Sequence, residues 1–349
     1  MSAVINPRPN STGTNSSIGQ DAKPILLHKI DGHVARVNDV ILLSKEEGVW
    51  TASDDRSIRL YLKRDNGQFW PSIHRIMPIA ATCIFYSEET TRLLVGLLNG
   101  HVYEYIVADD YNSMNDPESR KWSIHAGPVS GLGLALDAEL VFSCSKDKSV
   151  VWHCSETGVK RGAFHCENSC TSLIIDLPFV FVGDHAGNVI VLRLTGDTAQ
   201  LVSKLSAHTG PISSLAWNRV KEVLFSGSYD NLVIMWDIGG KRGEAYELNG
   251  HSSKITRLCV APGAARLFSA DDAGKLVCWD MSANRCLYVI IILCFPHYYR
   301  YIFISLTQLA VSHDLRSGVT AMHLQETLGR MATVSQNRVV MIWDVRGMF

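Results

Sequence analysis

His208, Ser226 and Asp230 are the first residues in this chain whose types suggest chemistry. An acid, an imidazole and a hydroxyl are the parts of an acyl-transfer triad, in which the imidazole takes the nucleophile's proton. A catalytic serine must be exposed and must face an oxyanion hole. Ser226 instead sits inside the run V-L-F-S-G-S (residues 223–228), where a strand would bury it. Cysteine chemistry is no better supported. The nine cysteines fall at 83, 144, 154, 166, 170, 259, 278, 286 and 294, and no C-x-x-C occurs among them. Structural zinc usually draws two ligands from such a knuckle, so the closest pair, Cys166 and Cys170 beside His165, reads as thiols rather than ligands. There is no phosphate-cradling G-x-x-x-x-G-K-[ST], no H-E-x-x-H and no nucleophile elbow. No catalytic residue, cofactor or metal is expected, and the chain is read as a non-enzyme.

The elements that would position these side chains repeat. Residues 207–237 read A-H-T-G-P-I-S-S-L-A-W and then, after a turn, V-L-F-S-G-S-Y-D-N-L-V-I-M-W-D. Short alternating apolar runs broken by turn residues predict antiparallel strands. The same ending recurs at Trp279-Asp280 and Trp343-Asp344, with degenerate copies at Tyr61, Tyr105, Trp152 and Leu192. The intervals between these seven ends are 44, 47, 40, 44, 43 and 64 residues. Four-stranded WD blades repeat every ~40–45 residues, so only the last interval is out of range, by about 20. The expected fold is an all-β, seven-bladed WD40 β-propeller over residues 23–346, its last blade closed by the segment 23–30. Closure matters because an open ring leaves an unpaired strand edge.

The likeness to WD repeats extends to that family's hydrogen-bonded tetrad, which would here be His208, Ser226, Asp230 and Trp236. In the other blades the turn residue is Asp55, Asp147, Asn99, Asn337, Ala186 or Ala273, and blade three reads one residue short between Asp147 and Trp152. The position before each turn residue points out at the rim in such propellers. It would be Asp54, Leu98, Lys146, His185, Tyr229, Asp272 and Gln336, the expected partner-binding face. Tyr229 leads, because exposed tyrosines are frequent hot spots.

More specific strings are present: L-K-R-D-N-G-Q-F-W-P-S (62–72), W-H-C-S-E-T-G (152–158), G-D-H-A-G-N-V (183–189) and the stretch 224–251 containing W-D-I-G-G-K-R-G. Together these resemble the family that combines a WD propeller with a FYVE zinc finger, over about residues 23–281 and 311–345. In that family the finger lies between the sixth and seventh blades, where this chain has its long interval. The segment 282–311 is not a finger. It holds Cys286, Cys294 and His297 with one arginine, Arg300, beyond its first residues. Two zinc ions need eight ligands, and an inositol phosphate needs a basic strand. Phosphoinositide binding is therefore not carried over. Pro296, His297 and Arg300 interrupt the apolar run that a membrane span would need.

The chain has 33 basic and 34 acidic residues and a net charge of −1, which argues against nucleic-acid or anionic-membrane partners. Residues 1–22 are expected to be a disordered tail, with no secretory signal, and residues 107–121 a solvated acidic loop. The expected function is a monomeric, cytoplasmic protein-interaction scaffold. The resemblance implies early endosomes as its place of work, with signalling kinases and vesicle proteins as partners, though targeting without the finger is not expected. The alternative is a ubiquitin-ligase substrate receptor acting through the W-D-x-R pattern Trp343-Asp344-Val345-Arg346.

Overall fold

The computed structural model describes residues 4–5, 24–45, 47–115, 120–239, 244–294, 299–304 and 317–349. They form seven separate sheets, each built on four antiparallel strands, arranged as the blades of one closed propeller. Blade one runs Val37–Leu42, Gly48–Ser53, Ser57–Lys63 and Phe69–Ile76, from the innermost strand outward. Blade seven begins with Val319–Gln325 and is completed by Ile25–Ile30, which pairs antiparallel with Val340–Asp344. This pairing of the two ends of the chain closes the ring and covers the edge that blade seven would otherwise expose.

The blades are held together by side chains that alternate along each strand. Every seam between neighbours carries one apolar cluster, and there are seven. The smallest, Cys83, Val102 and Val129, joins blades two and three. That seam is reinforced by the fully buried Glu104, which accepts from Arg120 at 3.1 Å. Arg120 also donates to the Ser155 carbonyl of blade three at 2.9 Å.

A β-bulge interrupts the innermost strand of every blade at its second residue: Asn38, Thr82, Ser130, Thr171, Ser213, Thr256 and Thr320. Six of the seven are Ser or Thr. Each of these hydroxyls donates to a carbonyl of the second strand, from 3.0 Å in Thr82, Thr171 and Ser213 to 3.4 Å in Thr320. Several reach the next blade as well, as Ser130 does to the Cys170 carbonyl (2.7 Å) and Asn38 to Ala81 (2.9 Å). A bulge increases local twist and leaves one residue unpaired, and in blades one, two, three and seven that residue also bonds to the neighbouring blade.

Two sequence boundaries need correction. The long interval does not lie wholly between blades: Arg285–Cys294 pairs with Lys275–Asp280 as the outer strand of blade six. Tyr299–Ile304 then adds a fifth strand to that sheet. Similarly, the end of the acidic loop is strand, since Lys121–Ser123 closes blade two. Of the expected tail, residues 4–5 form a short strand parallel to Glu244–Leu248, and the rest lies outside the described residues, as do 295–298 and 305–316.

Candidate functional site: the rim of the ring

The turn between the second and third strands of each blade is built the same way seven times. The residue after the turn position is in the left-handed region in every blade: Arg56, Gly100, Lys148, Gly187, Asn231, Gly274 and Arg338. The N–H of the residue before the turn position bonds to the carbonyl just ahead of the innermost strand. The pairs are Asp54 to Arg36, Leu98 to Ala80, Lys146 to Pro128, His185 to Ser169, Tyr229 to Pro211, Asp272 to Lys254 and Gln336 to Gly318, at 2.7–3.0 Å. All seven rim residues named from the sequence thus stand at equivalent places at one end of the ring. Six are exposed and Asp272 is half-buried.

Beneath the rim lie the tetrads. In blade five the Trp236 indole N–H donates to Ser226 Oγ at 2.8 Å, Ser226 meets His208 Nε2 at 2.8 Å, and His208 Nδ1 meets Asp230 at 2.8 Å. Ser226 is fully buried inside this series, which leaves no exposed nucleophile. Burial alone would raise the Asp230 carboxyl, but bonds from His208 and the Leu232 and Thr209 amides outweigh it and hold it below its usual range. The same balance takes Asp55 to about 2.

The other blades correct the reading of the sequence. Blade six has a full tetrad despite Ala273, because Asp271, two residues earlier, takes the carboxylate's place. It meets His251 at 2.8 Å and accepts the Ala273 and Lys275 amides. Asp184 does the same turn work in blade four, accepting from the Ala186 and Asn188 amides. The shared string D-x-A-G (184–187 and 271–274) was the available signal.

Blade three is not short. Trp236, Trp279, Trp343 and Tyr61 each pair with the residue two before their blade's Ser or Thr. In blade three that position, opposite Val141, belongs to His153, while Trp152 opposes Phe142. A one-residue step moves a side chain to the other face of the sheet. The Trp152 indole therefore packs against Phe142 with ring centres 6.0 Å apart, and its N–H has no hydrogen-bond partner among the described residues. His153 takes the vacated place, 7% exposed and stacked on Trp122 at 6.0 Å. Burial lowers its pKa to about 4, so it is neutral at physiological pH.

The rim residues do not all converge. Tyr229, Asp272 and Gln336 line a pocket of about 340 Å³ together with Arg36, Lys254, Thr256, Val319 and Thr320. Asp54 lies beside it, bonded to Asn38 at 2.7 Å. Leu98, Lys146 and His185 belong to blades two to four and do not line it. Arg36 and Lys254 were missed, although both directly precede an innermost strand and recur at three residues past the tetrad histidine. The Lys254 ammonium sits 5.4 Å from the centre of the Tyr229 ring, a cation–π contact. A larger cleft of about 620 Å³, lined by Arg161, Pro178 and Asp197, opens at the opposite end of the ring between blades three and four. Arg346, of the W-D-x-R pattern, folds back onto Asp344 with Nε at 3.0 and 3.1 Å from the two carboxylate oxygens.

The comparisons with known proteins fit this architecture. The family described as "WD domain, G-beta repeat" matches residues 199–237 and 243–280. The solved WD40 β-propeller domain of Doa1 superposes with a TM-score of 0.72 at 17% identity, covering 92% of this chain and 96% of that one. WD repeat and FYVE domain-containing protein 2 of Caenorhabditis briggsae is 55% identical over 410 aligned positions, covering 99% of this chain and 97% of the relative. The Caenorhabditis elegans protein of the same description is also 55% identical, with 98% of its length covered. The human protein 2 is 40% identical over 252 positions, 72% of this chain and 60% of its own. The two nematode alignments are longer than the 349 residues here, so each relative carries a stretch that this chain lacks. No cluster of potential metal ligands exists among the described residues. This chain, without a recognisable FYVE finger, belongs to the family of WD repeat and FYVE domain-containing proteins.

Proposed function

We propose that this propeller scaffold binds a protein partner at the pocket shared by blades five, six, seven and one, with Tyr229 as the central contact. The observation that carries this reading is the convergence of Tyr229, Lys254, Asp272, Gln336 and Arg36 around one 340 Å³ depression at the rim. Tyr229 is 47% exposed there, and an aromatic ringed by polar groups is the usual make-up of a hot spot. Arg36 and Lys254 bring two cations to this depression, so a partner segment with an acidic side chain fits the site. Through the family, the partners are signalling kinases and vesicle proteins, and the setting is endosomal trafficking in the cytoplasm. The chain does this as a monomer, without lipid anchorage of its own. The test is affinity isolation from cell extract with the intact chain, the Tyr229→Ala variant and the Lys254→Glu variant. Partners that survive in both variants at wild-type yield would place the binding surface elsewhere. A tagged chain concentrated on endosomes without a FYVE-containing relative would overturn the loss of anchorage.

A further inference from the structure

Blade four departs from its neighbours at the place where a tetrad begins. The tetrad histidine stands four residues before the first residue of the innermost strand: His33 before Val37, His125 before Val129, His208 before Ile212 and His251 before Ile255. In blade four that place is held by Cys166, and the strand's first residue is Cys170. The hydroxyl that would normally meet the histidine is replaced by Val182, and the Asp184 carboxylate is occupied by Asn168 and Asn188 at 3.1 and 2.8 Å. The polar neighbour left to the Cys166 thiol is the thiol of Cys170. Both lie in the same apolar cluster between blades three and four. Cys166 is 8% exposed at the rim end of that cluster, whereas Cys170 is fully buried.

We infer that Cys166 and Cys170 are an oxidisable pair, Cys166 the thiol that meets a peroxide and Cys170 the one that closes the disulfide. The Cys166 sulfur attacks one peroxide oxygen and the O–O bond breaks. The released hydroxide leaves as water with the thiol proton, and Cys166 becomes a sulfenic acid. The Cys170 sulfur then attacks the Cys166 sulfur, the S–O bond breaks, and the hydroxyl leaves as water with the second thiol proton. Two thiols and one hydrogen peroxide thus become one disulfide and two waters. The neighbouring Cys166 thiol and burial push the Cys170 thiol above the ordinary thiol value. Access sets the order of events: Cys166 is 8% exposed at the rim end and Cys170 is fully buried, so peroxide meets Cys166 first.

The connection 166–170 also bears on the rim. Ser169 donates to the Lys146 carbonyl at 2.7 Å and accepts the His185 amide at 2.9 Å. A covalent bridge across these five residues tightens the loop that holds Lys146 and His185 in place, and so makes that arc of the rim responsive to oxidant.

The test is peptide mass spectrometry on the full, reduced chain after hydrogen peroxide, with remaining thiols alkylated under denaturing conditions. Trypsin places both cysteines, and no others, on residues 162–193. The expected product is this peptide two hydrogens lighter and unalkylated, while the peptides bearing Cys83, Cys144 and Cys278 stay alkylated. The Cys170→Ser variant should instead accumulate a Cys166 sulfenic acid that dimedone traps. Full alkylation of residues 162–193 after oxidant would overturn the pair, as would a Cys144–Cys170 cross-link between peptides. Because the first arm uses the unmodified protein, a misfolded variant does not shield the proposal.

Discussion

Replacing one serine in each of two blades separates a complete tetrad from an incomplete one. In blade five the Ser226 hydroxyl accepts the Trp236 N–H and donates to His208 Nε2, so Ser226→Ala strands one buried donor and one buried acceptor. In blade three Ser143 meets His125 Nε2 at 2.9 Å, but the Trp152 indole faces the other way. Ser143→Ala therefore strands a single group. An unsatisfied buried polar group costs about 1–3 kcal/mol, which gives roughly 2–6 kcal/mol for Ser226→Ala and 1–3 kcal/mol for Ser143→Ala. The quantity to read is the difference, because loss of the hydroxyl's volume and solvation is common to both. Urea unfolding followed by tryptophan fluorescence and by circular dichroism supplies it, with agreement of the two probes checking that the transition is cooperative. Equal losses at the two sites would refute the assignment of His153 to the tryptophan's place in blade three. Trp152→Phe adds an independent arm. Its N–H has no partner among the described residues, so this change should cost less than Trp236→Phe by about one hydrogen bond, ~1 kcal/mol.

Three further outcomes are expected. His33, His125, His251 and His153 all have pKa values lowered by burial. They stay neutral in the fold and gain protons on unfolding, so stability should fall as pH drops below about 6.5. For His153 the decline continues to about 4. A thermal-midpoint series from pH 7 to 4 should be flatter for His153→Phe, and an unchanged slope would remove that histidine from the account. Only below this window do the depressed carboxylates contribute, Asp55 losing its share as pH falls from about 4 toward 2. Gly187 has φ +88°, and a Cβ there would lie 2.5 Å from the His208 carbonyl oxygen. Gly187→Ala should thus destabilise by more than the ~1 kcal/mol of a strained backbone alone, measured in the same urea assay. Tyr229→Ala, which leaves the tetrads intact, should weaken the partner by about 2 kcal/mol or more without moving the thermal midpoint. A fall in both together would mean that Tyr229 serves the fold.

The ring was legible because its cause is periodic. Alternation, turn residues and the W-D endings recur at one spacing, and a sheet needs little more to decide which face it buries. Reading failed where two neighbouring residues could each satisfy that pattern. Val151, Trp152 and His153 are all acceptable strand residues, and the eye follows the tryptophan. The fold instead keeps the bulge that precedes Tyr61, Leu192 and Trp279 in their blades, and the same bulge falls before His153. The carboxylates Asp184 and Asp271 were hidden for a related reason. A turn needs an acceptor near two amide groups, and the last residue of the second strand reaches them as well as the turn residue does: Asp184 and Asp271 each accept two amides of their turn.

The rim shows where periodicity stops being informative. Seven equivalent backbone bonds fix seven equivalent positions, which is why the rim residues from Asp54 to Gln336 follow from the repeat alone. Nothing in a repeat says which of these neighbours a pocket joins. That depends on side chains which differ from blade to blade: Arg36 and Lys254 where other blades have Ala80, Pro128, Ser169, Pro211 and Gly318. Two long cations on blades six and one, either side of blade seven, with Tyr229 beneath one of them, make one arc of the ring chemically distinct from the rest. The blades supply a common scaffold, and the departures from the repeat, at Lys254 and Arg36 on one arc and at Cys166 on the other, carry what is particular to this chain.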